Sequence, residues 1–137
     1  MTTDRLATLL FVAGVLHLAI TSAGLVMTLV LDWRHSLSPL CALTRHIIWT
    51  HGAFVLLTII AFGVISLSLP GRLVAGDPIA RAVCAFIAAF WSLRLFIGVF
   101  FFDAKPHLSN VPLKVCYHGL TVVFVYFVFA YGAAAIH

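Results

Sequence analysis

Four uninterrupted apolar runs dominate this chain, at Leu6–Leu31, Ile47–Leu69, Ile79–Phe102 and Leu113–Ile136. Each reaches the roughly 20 residues that a helix needs to cross a hydrocarbon layer about 30 Å thick. Inside such a layer every backbone N–H and C=O must find a partner within the protein, so only helices and closed barrels can span it. The runs are continuous, whereas a barrel strand alternates apolar and polar residues over about ten positions, so the pattern argues for helices. Composition agrees: 64% of the 137 residues are hydrophobic and 9% are charged, with a mean hydropathy of +1.17. A soluble domain carries about 25% charged residues, and this chain has too few to clothe a core. The same scarcity of charge excludes intrinsic disorder.

Turn-forming residues punctuate the runs. Asp32-Trp33-Arg34-His35 and Pro39 follow the first, Pro70-Gly71-Arg72 through Asp77-Pro78 separate the second from the third, and Asp103-Ala104-Lys105-Pro106 through Pro112 separate the third from the fourth. Ser36–Thr44 is too polar to span and is expected at the interface as a loop or short helix. The sequence therefore predicts one all-α integral membrane domain over residues 1–137, a four-helix transmembrane bundle with up-down-up-down order. Its spans cover about 6–31, 47–69, 79–102 and 113–136. Thr21-Ser22-Ala23 loosely resembles a signal-peptide cleavage site, but the start lacks a positive excess and the apolar run continues to Leu31. An uncleaved first span is the expectation.

Four spans place both termini and the Pro70–Pro78 turn on one face, side A. The longer connections 32–46 and 103–112 then share side B. The net charge of +4 comes from basic residues that flank the spans, which fits membrane boundaries rather than nucleic acid. Arg5, Arg72 and Arg81 flank side A, and Arg34, Arg45, Lys105 and Lys114 flank side B. That small excess turns side B, with loops 32–46 and 103–112, toward the cytoplasm.

An ionisable side chain within a span costs several kcal/mol unless it is paired, so each one points to function. Four qualify: His17, His51, Arg94 and His118. With a rise of roughly 1.5 Å per residue, His51 and His118 sit on the order of 6–9 Å below the side B boundary. Arg94 lies somewhat deeper from the same side, and His17 is near the midplane. Together they outline a funnel entering from side B. Gly14, His17, Thr21, Gly24 and Thr28 form one small and polar stripe along the first helix, of the kind that faces neighbouring helices. On that stripe His17 reads first as a helix-packing donor, and as a haem or chlorin ligand only with help from a partner chain.

Trp49-Thr50-His51-Gly52 and Cys116-Tyr117-His118-Gly119 form the most specific pair in the sequence. Each puts a histidine and then a glycine about a turn and a half inside the membrane. Their helices run in the same direction and occupy diagonal corners of the bundle, roughly 11–14 Å apart. That separation suits His51 and His118 as the two axial metal ligands of a b-type haem, with glycine leaving room for the macrocycle. The arrangement resembles, in architecture rather than in any sequence motif, the b-type cytochrome membrane anchors of respiratory complexes such as succinate dehydrogenase. The resemblance implies an electron-transfer anchor in a larger assembly, with Arg94 meeting a haem propionate or a quinone carbonyl. Structural hydrogen bonding by the same two histidines is the competing reading.

Arg94 sits nine residues before Asp103, the nearest acid along its helix, and its side chain is expected to point back toward the helix N-terminus, away from side B. It then needs a carboxylate, a phosphate or several carbonyls. Trp91 and Phe100-Phe101-Phe102 read either as an interfacial belt or as a ring-binding wall for a quinone or macrocycle. Cys41, Cys84 and Cys116 form no C-x-x-C pair and are expected to be plain apolar thiols. His35, His46 and His107 with Asp103 lack metal-ligand spacing. Nucleotide and hydrolase motifs are missing, and the four acids include none at mid-span, which argues against a carboxylate relay. The sequence thus favours a small membrane subunit, either a haem or quinone redox anchor or an accessory subunit that binds lipid or a chlorin pigment. A subunit is favoured over a stand-alone enzyme, and an enzyme acting on a lipid at the side B funnel stays open. Membrane lipid and subunits of a larger complex are the expected partners, and nucleic acid is not.

Overall fold

The computed structural model describes residues 2–101 and 110–137. Six helices occur among them: α1 (Thr3–Val30), α2 (Trp33–Ser36), α3 (Ala42–Ser68), α4 (Pro70–Leu73), α5 (Pro78–Phe100) and α6 (Val111–Ile136). The four long ones are each long and apolar enough to cross a membrane. The chain is a multi-pass, all-α four-helix transmembrane bundle, and it contains no strand among the described residues. Proline stands in the first turn of α4, α5 and α6, where its missing N–H leaves no helical bond unmade. Between α1 and α2 the chain reverses at Asp32, whose φ of +42° is left-handed. Aspartate tolerates that region because its short side chain bonds locally, and here it accepts from the His35 N–H at 3.4 Å.

Two boundaries differ from the sequence reading. The third element in the chain, α3, begins at Ala42 rather than near Ile47, so Thr44, Arg45 and His46 already lie on the helix. Helical hydrogen bonding does not stop where the hydrocarbon does, and polar residues extend the rod into the headgroup layer. The short interfacial helix sits at Trp33–Ser36, just ahead of the polar Ser36–Thr44 stretch.

The long helices associate unevenly. Along its length α5 packs on α6, α1 packs on α3, and α1 also touches α6. The closest pairs are thus consecutive antiparallel helices, and α3 and α6 take one diagonal of the bundle. Between α3 and α5 the contact is made by aromatic side chains: Phe62 lies edge-on to Phe86 at 6.0 Å and to Phe90 at 5.3 Å.

Buried residues concentrate toward side A. They include Leu6, Leu10, Ala13, Gly14, His17 and Thr21 on α1, Phe62, Gly63 and Ser66 on α3, Cys84, Ile87 and Trp91 on α5, and Phe127, Ala130, Tyr131 and Ala134 on α6. Close approach of α1 and α3 depends on glycine. A Cβ on Gly63 would stand 3.0 Å from the His17 Cβ and 3.4 Å from the Gly14 carbonyl oxygen. A Cβ on Gly14 would stand 2.7 Å from Leu67 Cγ. The side A part of the stripe read from the sequence, Gly14 and His17, therefore faces a neighbouring helix, whereas Gly24 and Thr28 line open space. Polar pairs stitch the same half together. The Ser66 and Tyr131 hydroxyls share a hydrogen bond of 2.5 Å, and the Tyr126 hydroxyl donates to the Leu9 carbonyl at 2.9 Å. Arg81 Nε donates to the Ala135 carbonyl at 2.9 Å, placing a cation at the C-terminal end of α6 where the helix dipole favours it. Toward side B the helices separate, and the space between them is hollow.

Candidate functional site

His17 marks the boundary between the packed half and the hollow half. Its ring is fully buried and stacks on Phe127 with centroids 4.0 Å apart, while Phe62, Trp91 and Tyr131 meet it edge-on. His17 Nδ1 lies 2.7 Å from the Ala13 carbonyl oxygen, and Trp91 Nε1 lies 3.1 Å from His17 Nε2. A carbonyl can only accept and an indole N–H can only donate, so Nδ1 carries the hydrogen and Nε2 accepts. This is the neutral Nδ1–H imidazole. Both ring nitrogens are engaged by the protein itself, and across the helices His17 acts as the acceptor.

Above this layer lies a cavity of about 600 Å³. That volume falls within the roughly 300–1,000 Å³ of small-molecule sites. Its wall draws on α1, α2, α3, α5 and α6, and is almost wholly apolar. All three tryptophans of the chain, Trp33, Trp49 and Trp91, line it. Trp33 and Trp49 meet edge-on at 6.5 Å near the side B end, and Trp91 stacks on Phe124 at 4.7 Å toward the bottom. Glycine at Gly24 and Gly52 opens the wall where α1 and α3 face the space.

Among the described residues, Arg94 is the single charged one on that wall. Its guanidinium lies over the Phe124 ring, 5.7 Å from the centroid, in a cation–π contact. The side chain does not point toward the helix N-terminus as the helical rotamer rule suggested. Arg94 Nη1 lies 3.6 Å from the position a Gly98 Cβ would occupy, so the chain climbs one turn toward side B. Glycine four residues on leaves that path open, and climbing brings the charge toward the polar boundary. The spacing Arg94-x-x-x-Gly98 was visible in the sequence and is the signal that would have revealed it.

His51 and His118 are both exposed, and neither lines the cavity. Their chain neighbours Gly52 on α3 and Cys116 on α6 do. Successive helical residues are about 100° apart, so inward Gly52 turns the preceding His51 away from the cavity, and inward Cys116, two positions earlier, puts His118 on nearly the opposite face of its helix. The structure brings Arg94 to the cavity and His17 to its floor through Trp91, and leaves the two histidines of the sequence pair on the outside. Among the described residues no group of three His, Cys, Asp or Glu side chains could hold a metal ion. Asp103, Lys105 and His107 lie outside the described residues. All three cysteines are free: Cys84 is buried, Cys116 is half-buried on the cavity wall, and Cys41 is exposed ahead of α3.

One polar atom was not singled out by the sequence. Thr21 is 8% exposed, lines the cavity, and its hydroxyl is the buried side-chain group without a hydrogen-bond partner among the described residues. No protein-family model matches the chain, and comparison with curated proteins and with solved structures returns no match.

Proposed function

We propose that this membrane protein binds an elongated amphipathic molecule, a lipid or a quinone, within the side B half of its bundle. Arg94 holds the oxygen-bearing head of the ligand, and the apolar wall holds its tail. The observation that carries this reading is the placement of Arg94, the one charge among the described residues on the wall of a mostly apolar cavity of about 600 Å³. A purely structural arginine has no need of an adjoining hollow, and a purely apolar ligand has no need of a cation. The connections between the spans are short among the described residues, which supports service as a subunit of a larger membrane assembly, whether redox or accessory.

The test is ligand retention. Protein extracted in mild detergent is expected to carry a lipid or quinone that organic extraction and mass spectrometry identify. Arg94→Leu removes a charge-assisted hydrogen bond of about 1.5–3 kcal/mol, so retention should fall on the order of tenfold or more. Equal retention by Arg94→Leu and wild type would refute the role given to Arg94. A reduced-minus-oxidised spectrum of the same preparation addresses the bis-histidine haem separately. Sharp α/β bands lost in His51→Ala or His118→Ala would establish that haem.

A further inference from the structure

Six hydroxyl groups on these helices share one habit. Thr8, Ser22, Thr28, Thr58, Ser92 and Thr121 each donate to the carbonyl four residues earlier. Thr21 does not, although it sits on the same inward stripe as Thr28, and its oxygen is sealed from water with no partner among the described residues. A buried unmade hydrogen bond is costly, and in native proteins such groups are few. A turn of about 120° about χ1 exchanges the threonine hydroxyl and methyl between staggered positions, and Thr21 is a wall residue of the cavity.

The helices fix where Thr21 stands relative to Arg94. The His17–Trp91 hydrogen bond of 3.1 Å sets α1 and α5 at a common level. Thr21 is four residues from His17 and Arg94 is three from Trp91, both toward side B. Those steps raise the two backbones by about 6 Å and about 4.5 Å. The two backbones therefore stand at one level on different helices, and the Arg94 guanidinium, which climbs a turn toward side B, lies above the Thr21 hydroxyl. Trp91 and Phe124 supply flat walls beside that level.

We infer that the head held here is a planar ring bearing two opposed oxygens, a 1,4-quinone, with one carbonyl taken by Arg94 and the other by the Thr21 hydroxyl once a χ1 turn brings it to the cavity face. This rests on the cavity reading above and narrows it. A fatty acid carries both of its oxygens on one carbon at one end, whereas a 1,4-quinone carries them on opposite sides of a ring. A quinone ring satisfies both groups at once, stacks against the aromatic walls, and sends its apolar tail along the rest of the cavity.

The experiment titrates the detergent-solubilised full chain with a short-tailed benzoquinone and, separately, with palmitate. Because all three tryptophans line the cavity, saturable quenching of intrinsic fluorescence reports the quinone, and displacement of the quinone reports palmitate. Thr21→Val keeps the shape and removes the hydroxyl. It is expected to weaken quinone binding about 3- to 10-fold, the worth of one neutral hydrogen bond. Thr21→Ser should restore it to within about twofold. Resistance of unliganded Thr21→Val to denaturation should match or exceed wild type, because the hydroxyl it deletes has no protein partner. Wild-type quinone affinity in Thr21→Val, or a wild-type protein that binds palmitate by direct dialysis and not the quinone, overturns this inference and leaves the cavity reading standing. Binding of neither ligand by the wild-type protein overturns both.

Discussion

The hydrogen bond between Trp91 Nε1 and His17 Nε2 joins α5 to α1 at the floor of the cavity, and its energetic weight can be isolated. The two side chains are 2% and 0% exposed, and their bond is 3.1 Å long. Trp91→Phe keeps an aromatic ring between Phe124 and Phe127 but strands the His17 acceptor. His17→Leu keeps an apolar filling but strands the indole donor. Each single change leaves a buried polar group unsatisfied, a cost of about 1–3 kcal/mol. The double variant strands neither group, so its loss should be smaller than the two single losses combined. Membrane side-chain pairs measured in this way couple by about 0.6 kcal/mol on average and reach about 1.7 kcal/mol. This pair has good length and complete burial, so a coupling of about 1 kcal/mol is expected. Unfolding of the four proteins by increasing mole fraction of SDS in mixed micelles, followed by far-UV circular dichroism, provides the cycle. Single losses that add to the double loss within about 0.3 kcal/mol would show that the two rings are merely neighbours. That outcome would refute the neutral Nδ1–H assignment and the cross-helix role of His17 with it.

Gly63→Ala should destabilise the bundle by about 1–3 kcal/mol in the same unfolding assay, because its Cβ would stand 3.0 Å from the His17 Cβ. Gly132→Ala, where a Cβ meets nothing within 4 Å, should be neutral or slightly stabilising; equal losses at the two sites would contradict the close α1–α3 contact. Outside the spans, the Thr44 hydroxyl and the first amides of α3 hold the Cys41 thiol below its ordinary pKa. A lowered pKa means more thiolate at neutral pH, so alkylation of Cys41 by iodoacetamide should gain half its maximal rate at lower pH than for a free cysteine. Thr44→Val should move that midpoint back up, whereas an unchanged midpoint would show that the 3.0 Å contact between Cys41 Sγ and Thr44 Oγ1 has no effect.

Individual residues show what could be read in advance and what could not. Gly14, His17 and Thr21 recur at the spacing of one helix face, and that face is buried because close approach needs small residues. Arg94 was legible as a charge within a span because it stands so far inside an apolar run, although the side chain itself is exposed in the bundle. Its direction was not, because the rotamer rule weighs only the helix's own preceding turn, whereas the empty space above Gly98 and the polar boundary beyond it decide the path. His51 and His118 matched in depth, and depth follows from counting along a helix. Their azimuth depends on how each helix is rotated about its axis, which the contacts of α3 with α1 and of α6 with α5 set. Equal depth alone does not make two side chains face each other.

Class, span number and side A–side B order came from the sequence by itself, since lipid leaves a backbone with so few charges no alternative to four self-bonded helices. The tertiary structure decided that the bundle is tight at one end and hollow at the other. Glycine contacts draw α1 and α3 together beside His17, aromatic rings keep α3 and α5 apart, and beyond that layer the helices enclose the space that Arg94 and Thr21 line. A sequence pattern of period 3.6 states which residues turn inward on each helix. Whether what they turn toward is another side chain or a cavity depends on four rotations and spacings fixed only when all the helices meet.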